Sequence, residues 1–284
     1  MTAQEMPAQA RSRPGLLTSA ARIFDLSLGQ MLWSRRSVFL ALVVGGPIVL
    51  AVALRLAEAS GLNFARSRSG PAGAMIYGMM IWLLYVRFLV PVLGVFYGTS
   101  LIADEVDDKT ITYLFTRPIP RSAVIIGKYL AYLVCTVLLL LPSVVIVFFL
   151  VVPLGRGATV ARMFPTLLTD LGMLAFGLAA YGAVFAFVGA RLKRPLVVGL
   201  IFALGWEPAV LIAPGYLKRA TVAYYLQTLV RHEMPQNSPG AALLQIFNEV
   251  PPLSTSLIGL TVIVGLGLWL AGRTVENREY VLEQ

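Results

Sequence analysis

The chain has 284 residues, of which 58% are hydrophobic and 13% charged, whereas a soluble domain carries about 25% charged residues. Little sequence is left for a soluble catalytic domain, and the formal net charge of +9 is scattered between apolar runs, which argues against nucleic-acid binding and reads instead as a topology signal and contact with anionic membrane lipids. The lone cysteine, Cys135, excludes an intrachain disulfide and a cysteine-based metal site.

Residues 1–37 form a polar leader. Within it, Ala20, Ile23, Phe24, Leu28 and Met31 share one helical face, while Arg22, Asp25, Gln30 and Arg36 fall mainly on the other. This pattern reads as an interfacial helix lying on the inner leaflet; a cytoplasmic extension of the first span is the alternative. Ala57-Glu58-Ala59 has the small-x-small form of a cleavage site. The polar leader far exceeds a charged n-region, however, and the apolar run is of span length, so a retained first span is expected.

Six apolar runs follow, near residues 38–57, 75–102, 129–152, 166–190, 195–213 and 254–272. About 20 helical residues cross a hydrocarbon core of roughly 30 Å. Lipid offers no partner to a free backbone N–H or C=O, so such runs must be helices. The expected architecture is an all-α membrane protein. A six-span domain covers 38–272, with a cytoplasmic tail at 273–284. Small residues form ladders in the fourth run, at Ala175, Ala179 and Ala183 and at Gly182, Ala186 and Ala190, which suit close helix packing.

An even number of spans puts both termini on one side. That side carries Arg11, Arg13, Arg22, Arg35, Arg36, Lys109, Arg117, Arg121, Lys128, Arg191, Lys193, Arg194, Arg273 and Arg278. The other carries Arg55, Arg66, Arg68, Arg156, Arg162, Lys218, Arg219 and Arg231. The excess of positive charge therefore assigns both termini to the cytoplasm. On the opposite side, the long segment 214–252 fits either two short amphipathic helices at the outer surface or a plain loop.

No G-x-x-x-x-G-K-[ST] motif is present, and Gly127-Lys128-Tyr129 is only a fragment of one. His232, the single histidine, falls in the outer segment, and no Ser/His/Asp set or carboxylate pair suggests hydrolysis. Ionisable residues inside spans are costly and so are functional candidates. Arg87 lies in the second run shortly before Pro91, Glu207 directly precedes Pro208 in the fifth, and Asp170 lies near the outer start of the fourth. An Arg87–Glu207 pair across helices is expected as a buried latch.

The richest stretch is the polar insert 104–121. Asp104, Glu105, Asp107 and Asp108 are expected at a helix start, where carboxylates favour the positive end of the dipole. Ile111, Leu114 and Phe115 then form an apolar patch with Tyr113 beside it, and Pro118 and Pro120 break the helix. A short helix with an apolar knob and flanking charge suits docking into a groove on another protein.

Glu105, Thr110-Ile111, Tyr113-Leu114-Phe115, Thr116-Arg117-Pro118, Arg121 and Gly127-Lys128 together resemble the signature of type-2 ABC transporter permeases. Lys109 stands where that family's pattern has a glycine, and Ile111 where it has a leucine. The resemblance implies a membrane subunit of a bacterial ABC exporter in the inner membrane, paired with a second permease subunit as homodimer or heterodimer. Two ABC ATPase subunits would bind ATP and Mg beneath it, while this chain would bind no cofactor. The insert would be the coupling helix seated in the ATPase. Arg191 and Lys193, in the short loop reaching Pro195, would make a second, smaller contact. Two rival readings are an ion-coupled secondary carrier and a non-transporting anchor that relays ATPase motion to an extracytoplasmic partner.

Overall fold

The structure, a computed structural model, describes residues 16–61, 73–107, 121–154, 160–212, 216–229 and 252–277. Apart from short turns, the described residues are helical. Helix α1 is Leu16–Leu32 and α2 is Arg35–Ala59. Helix α3 runs without interruption over 73–107, α4 over Arg121–Val151 and α5 over Val160–Arg191. Helix α6 covers 195–212, a 3₁₀ turn covers Tyr216–Ala220, α7 is Val222–Leu229 and α8 is Leu253–Asn277. The expected all-α membrane fold is thus seen. Five of these helices are long and apolar enough to cross a membrane, and the apolar part of α6, Pro195–Val210, is shorter.

Helix α1 is a separate element. Ser34 caps α2 by accepting a hydrogen bond from the Ser37 N–H at 3.2 Å, which breaks the chain between the two helices. The sequence expectation put the face with Ala20, Ile23 and Met31 into lipid. In the structure α1 packs along α4, with the backbone of Ala20 and the side chain of Ile23 against Gly127. A Cβ at Gly127 would meet the Ala20 carbonyl at 2.7 Å, so glycine permits this approach.

Helices α3, α4 and α5 form the packed centre, with α2 against α4 and α8 against α5. Lipid tails are as apolar as the helices, so close fit and interhelical hydrogen bonds must hold such a bundle together. Both are visible. Gly182 lies directly beneath the Tyr132 ring and Gly189 against the backbone of Thr99, so α5 meets α4 and α3 at glycines. The small-residue ladders of the fourth run therefore serve packing.

Buried tyrosines supply the hydrogen bonds. Tyr132 donates to the Leu178 carbonyl at 2.7 Å, and Tyr129 to that of Ala179 at 2.8 Å. Ser143 donates to the Val44 carbonyl at 3.1 Å. Its single hydrogen is thereby used, so Tyr85 is the donor in the 2.7 Å contact between the two hydroxyls. This chain joins α2, α3 and α4 close to Pro47. At the opposite ends of the helices, the Gly73 N–H donates to the Leu154 carbonyl, and Tyr77 donates to Asp170, fixing the start of α3 to α4 and α5.

Candidate functional site

Two polar assemblies stand out. The first lies mid-bundle, where α3 and α6 both depart from α-helical geometry. Residues Ile81–Leu89 and Gly94–Gly98 of α3, and Ile201–Trp206 of α6, are π-helical. The Val90 N–H bonds the carbonyl five residues back, at Tyr85, and the Glu207 N–H does the same to Phe202. Each of these residues directly precedes a proline, Pro91 or Pro208. A proline ring crowds the carbonyl four residues before it and donates no N–H. Widening the preceding turn relieves that clash, and such bulges recur at functional sites.

Glu207, only 2% exposed, uses both carboxyl oxygens. Tyr181 of α5 donates to Oε2 at 2.5 Å, and the Ala223 N–H donates to Oε1 at 2.9 Å. The Val222 N–H also reaches this carboxyl group. Glu207 is thus the cap of α7, satisfying amides that a helix N-terminus leaves without internal partners. Helix α7 packs on α5, α8 and α3, and its Leu226 lies against Gly177, as does Val90 of α3, near the middle of two spanning helices. The first part of the 214–252 segment therefore dips deep into the bundle; residues 230–251 lie outside the described ones.

Arg87 is placed in the widened part of α3. Its guanidinium stacks over Trp82, 4.9 Å from the ring centre. Among the described residues its buried Nη1 has no hydrogen-bond partner. The direct Arg87–Glu207 ion pair expected from sequence does not form. The ion pairs among the described residues are Arg36–Asp104 and Arg55–Glu58. The carboxyl group is already taken by α7 and Tyr181, and Arg87 acts on both through space only.

The second assembly lies on the Lys/Arg-rich face, at the entrance to the 104–121 insert. Tyr97 of α3 donates to Ser37 at 2.6 Å, and Ser37 in turn donates to the Met31 carbonyl, pinning the α1–α2 break to α3. Nη1 of Arg36 contacts both carboxylate oxygens of Asp104, at 2.9 and 2.7 Å. Lys128 Nζ donates to the Leu101 carbonyl at 3.0 Å, joining the two helices that flank the insert.

One expectation is corrected here. The acidic run does not begin a helix: Asp104, Glu105 and Asp107 form the last turn of α3. Carboxylates are disfavoured at that negative end of the helix dipole, and Arg36 offsets the cost at Asp104. The helix of α3 continues past the end of its apolar run at Ile102 through Asp104, Glu105 and Asp107, with no break where a new helix could start. Asp108, Thr110, Ile111, Tyr113, Leu114, Phe115 and Arg117 lie outside the described residues. Arg121 opens α4. Arg191 ends α5, and Lys193 lies exposed in the short connection to Pro195.

A family model described as ABC-2 family transporter protein matches residues 4–275. The chain belongs to the ABC-2 transporter family. No curated protein matches it. As an ABC-2 permease it is a transmembrane transport component without a nucleotide site of its own, in keeping with the missing P-loop. The Glu207 cap and the π turns escaped sequence reasoning. Their one signal was the pair of prolines following Val90 and Glu207.

Proposed function

We propose that this ABC-2 permease is the membrane subunit of an ATP-driven exporter, coupled through the 104–121 insert to a separate ATPase. The observation that carries the reading is the family match across nearly the whole chain, together with an insert whose motif resembles a coupling helix. In this reading two permease subunits form the pathway in a bacterial inner membrane, with all termini in the cytoplasm. Two ATPase subunits bind ATP and Mg beneath them, and Arg191 and Lys193 supply a lesser contact.

The bonding around the insert supports such a role. A push on a coupling segment must reach the spans through groups that hold firm. Arg36–Asp104 and Lys128–Leu101 link the end of α3 to α2 and α4 at the point where the insert leaves the bundle. Load applied there would be shared by three helices. The two states of the machine must differ in their contacts with the ATPase, since otherwise ATP binding could shift nothing. At the other end, α7 hangs on Glu207 and is suited to gating the pathway toward the exterior. The secondary-carrier reading needs mid-membrane charges that meet the cargo, whereas Glu207 is committed to Tyr181 and α7.

Leu114→Asp tests the coupling. Burying one such side chain is worth about 1.5–3 kcal/mol, and a charge in its place would oppose docking outright. The variant should insert normally but fail to retain the ATPase on copurification, or lose transport-linked ATP turnover. Retention of both would overturn the reading.

A further inference from the structure

Arg87 and Glu207 lie on helices that touch, α3 and α6, yet their shares of hydrogen-bond partners are unequal. The Glu207 carboxyl group takes Tyr181 on one oxygen and the Ala223 N–H of α7 on the other. The Arg87 guanidinium rests on Trp82, and its buried Nη1 has no hydrogen-bond partner among the described residues. Burying a donor without an acceptor is costly, and a charged donor more so. Arg87 is nonetheless close enough to Glu207 and Tyr181 to act on both through space.

Helix α7 depends on that carboxyl group. It has eight residues, too few for a helix to hold its shape alone in water, and its first amides have no partner within the helix itself. It packs against the widened stretch of α3 that carries Arg87, as well as on α5 and α8. On withdrawal of α7 toward the outer surface, Glu207 loses the α7 amides. A buried carboxylate then lacks donors beside a guanidinium that lacks an acceptor. Those two groups form a strong, charge-assisted pair.

We propose that Glu207 is a two-position latch: with α7 seated it caps α7, and with α7 withdrawn it pairs with Arg87. The inference rests on the reading of α7 as the outer gate of an exporter. Arg87 then plays no bonding part in the closed arrangement and is the receptor that stabilises the open one. Two states can be shifted only by contacts that differ between them, and this exchange of partners supplies such a difference.

The test is the rate at which a water-soluble maleimide labels a cysteine placed at Val222. The protein is the full-length chain with Cys135 replaced, purified in mixed micelles with any subunit that copurifies. Val222 is 3% exposed while α7 is seated, and cysteine is no larger than valine, so labelling reports withdrawal. When reclosing is fast, the rate tracks the open population. Arg87→Gln should slow labelling at least about tenfold, the scale of one hydrogen bond to a charged group. Arg87→Met should do the same, and Arg87→Lys, which keeps the charge, should recover part of the rate. Glu207→Ala should speed labelling, and in that background Arg87→Gln should no longer slow it. An unchanged or faster rate in Arg87→Gln would overturn the latch, as would equal slowing in the Glu207→Ala background. No ATP or cargo enters the measurement. Failure of the latch would therefore leave the Leu114→Asp result standing, and failure of the exporter reading would leave these rates unaltered.

Discussion

Removing the Glu207 carboxyl group should destabilise the bundle through Tyr181 and α7, not through Arg87. The substitution Glu207→Ala strips acceptors from the Tyr181 hydroxyl, at 2.5 Å, and from the Ala223 N–H, at 2.9 Å. Tyr181 is fully buried and Ala223 nearly so, which leaves water little access to either donor. A buried donor left unsatisfied costs about 1–3 kcal/mol, so the two together imply a loss of about 2–6 kcal/mol. Tyr181→Phe removes one hydrogen bond and leaves Oε2 without its donor, for about 1–3 kcal/mol. In the double variant Tyr181→Phe/Glu207→Ala the orphaned hydroxyl is gone, and the combined loss should fall short of the sum by about 1–2 kcal/mol, within the range seen for groups in contact. The assay is the unfolding free energy of the purified permease in mixed micelles. Arg87→Ala run in the same cycle is the control, since Arg87 makes no ion pair with Glu207. Additive losses for Tyr181 and Glu207, or a larger coupling of Glu207 to Arg87 than to Tyr181, would refute the cap.

Gly182→Ala should destabilise by about 1–3 kcal/mol, because the new Cβ would collide with the Tyr132 ring and threaten its bond to Leu178; the melting temperature reads this, and Tyr132→Leu in the same chain should restore part of the loss. Asp104→Asn should change stability by less than about 1 kcal/mol, since the Arg36 pair is exposed on both sides, yet in the exporter reading it should weaken transport-linked ATP turnover. After Cys135 is replaced, a cysteine at Lys193 should react only with reagents that reach the cytoplasm, and one at Asn237 with impermeant reagents added outside; labelling from the opposite sides would reverse the topology. Cys135 itself is fully buried and should resist water-soluble thiol reagents in the intact protein.

How much was legible depended on whether a feature is carried by one segment or by two. The five long spanning helices were plain because each is a continuous apolar run, and hydrocarbon permits such a run no other fold. The fifth run gives a shorter apolar helix, Pro195–Val210 of α6, whose Glu207 meets the re-entering α7. The apolar face of α1 was also visible, but not what covers it: an amphipathic helix fits lipid or protein equally well by composition, and Gly127 made α4 the partner. The acidic run was misread as a helix start because dipole preference is weak, and an arginine from another helix can reverse it, as Arg36 does at Asp104.

The sequence by itself determined the solvent of this protein, its helical class and the short list of residues too costly to bury without purpose. Each follows from local composition, because desolvation of a backbone or a charge is settled where it sits. Only the tertiary structure decided how those residues are used. Arg87 and Glu207 lie far apart in the chain, and the α7 amides that claim the carboxyl group lie on a further element. Which partner meets which depended on prolines that widened two helices and glycines that let others close. Those are matters of a few ångströms between distant segments, and no pattern within a single run records them.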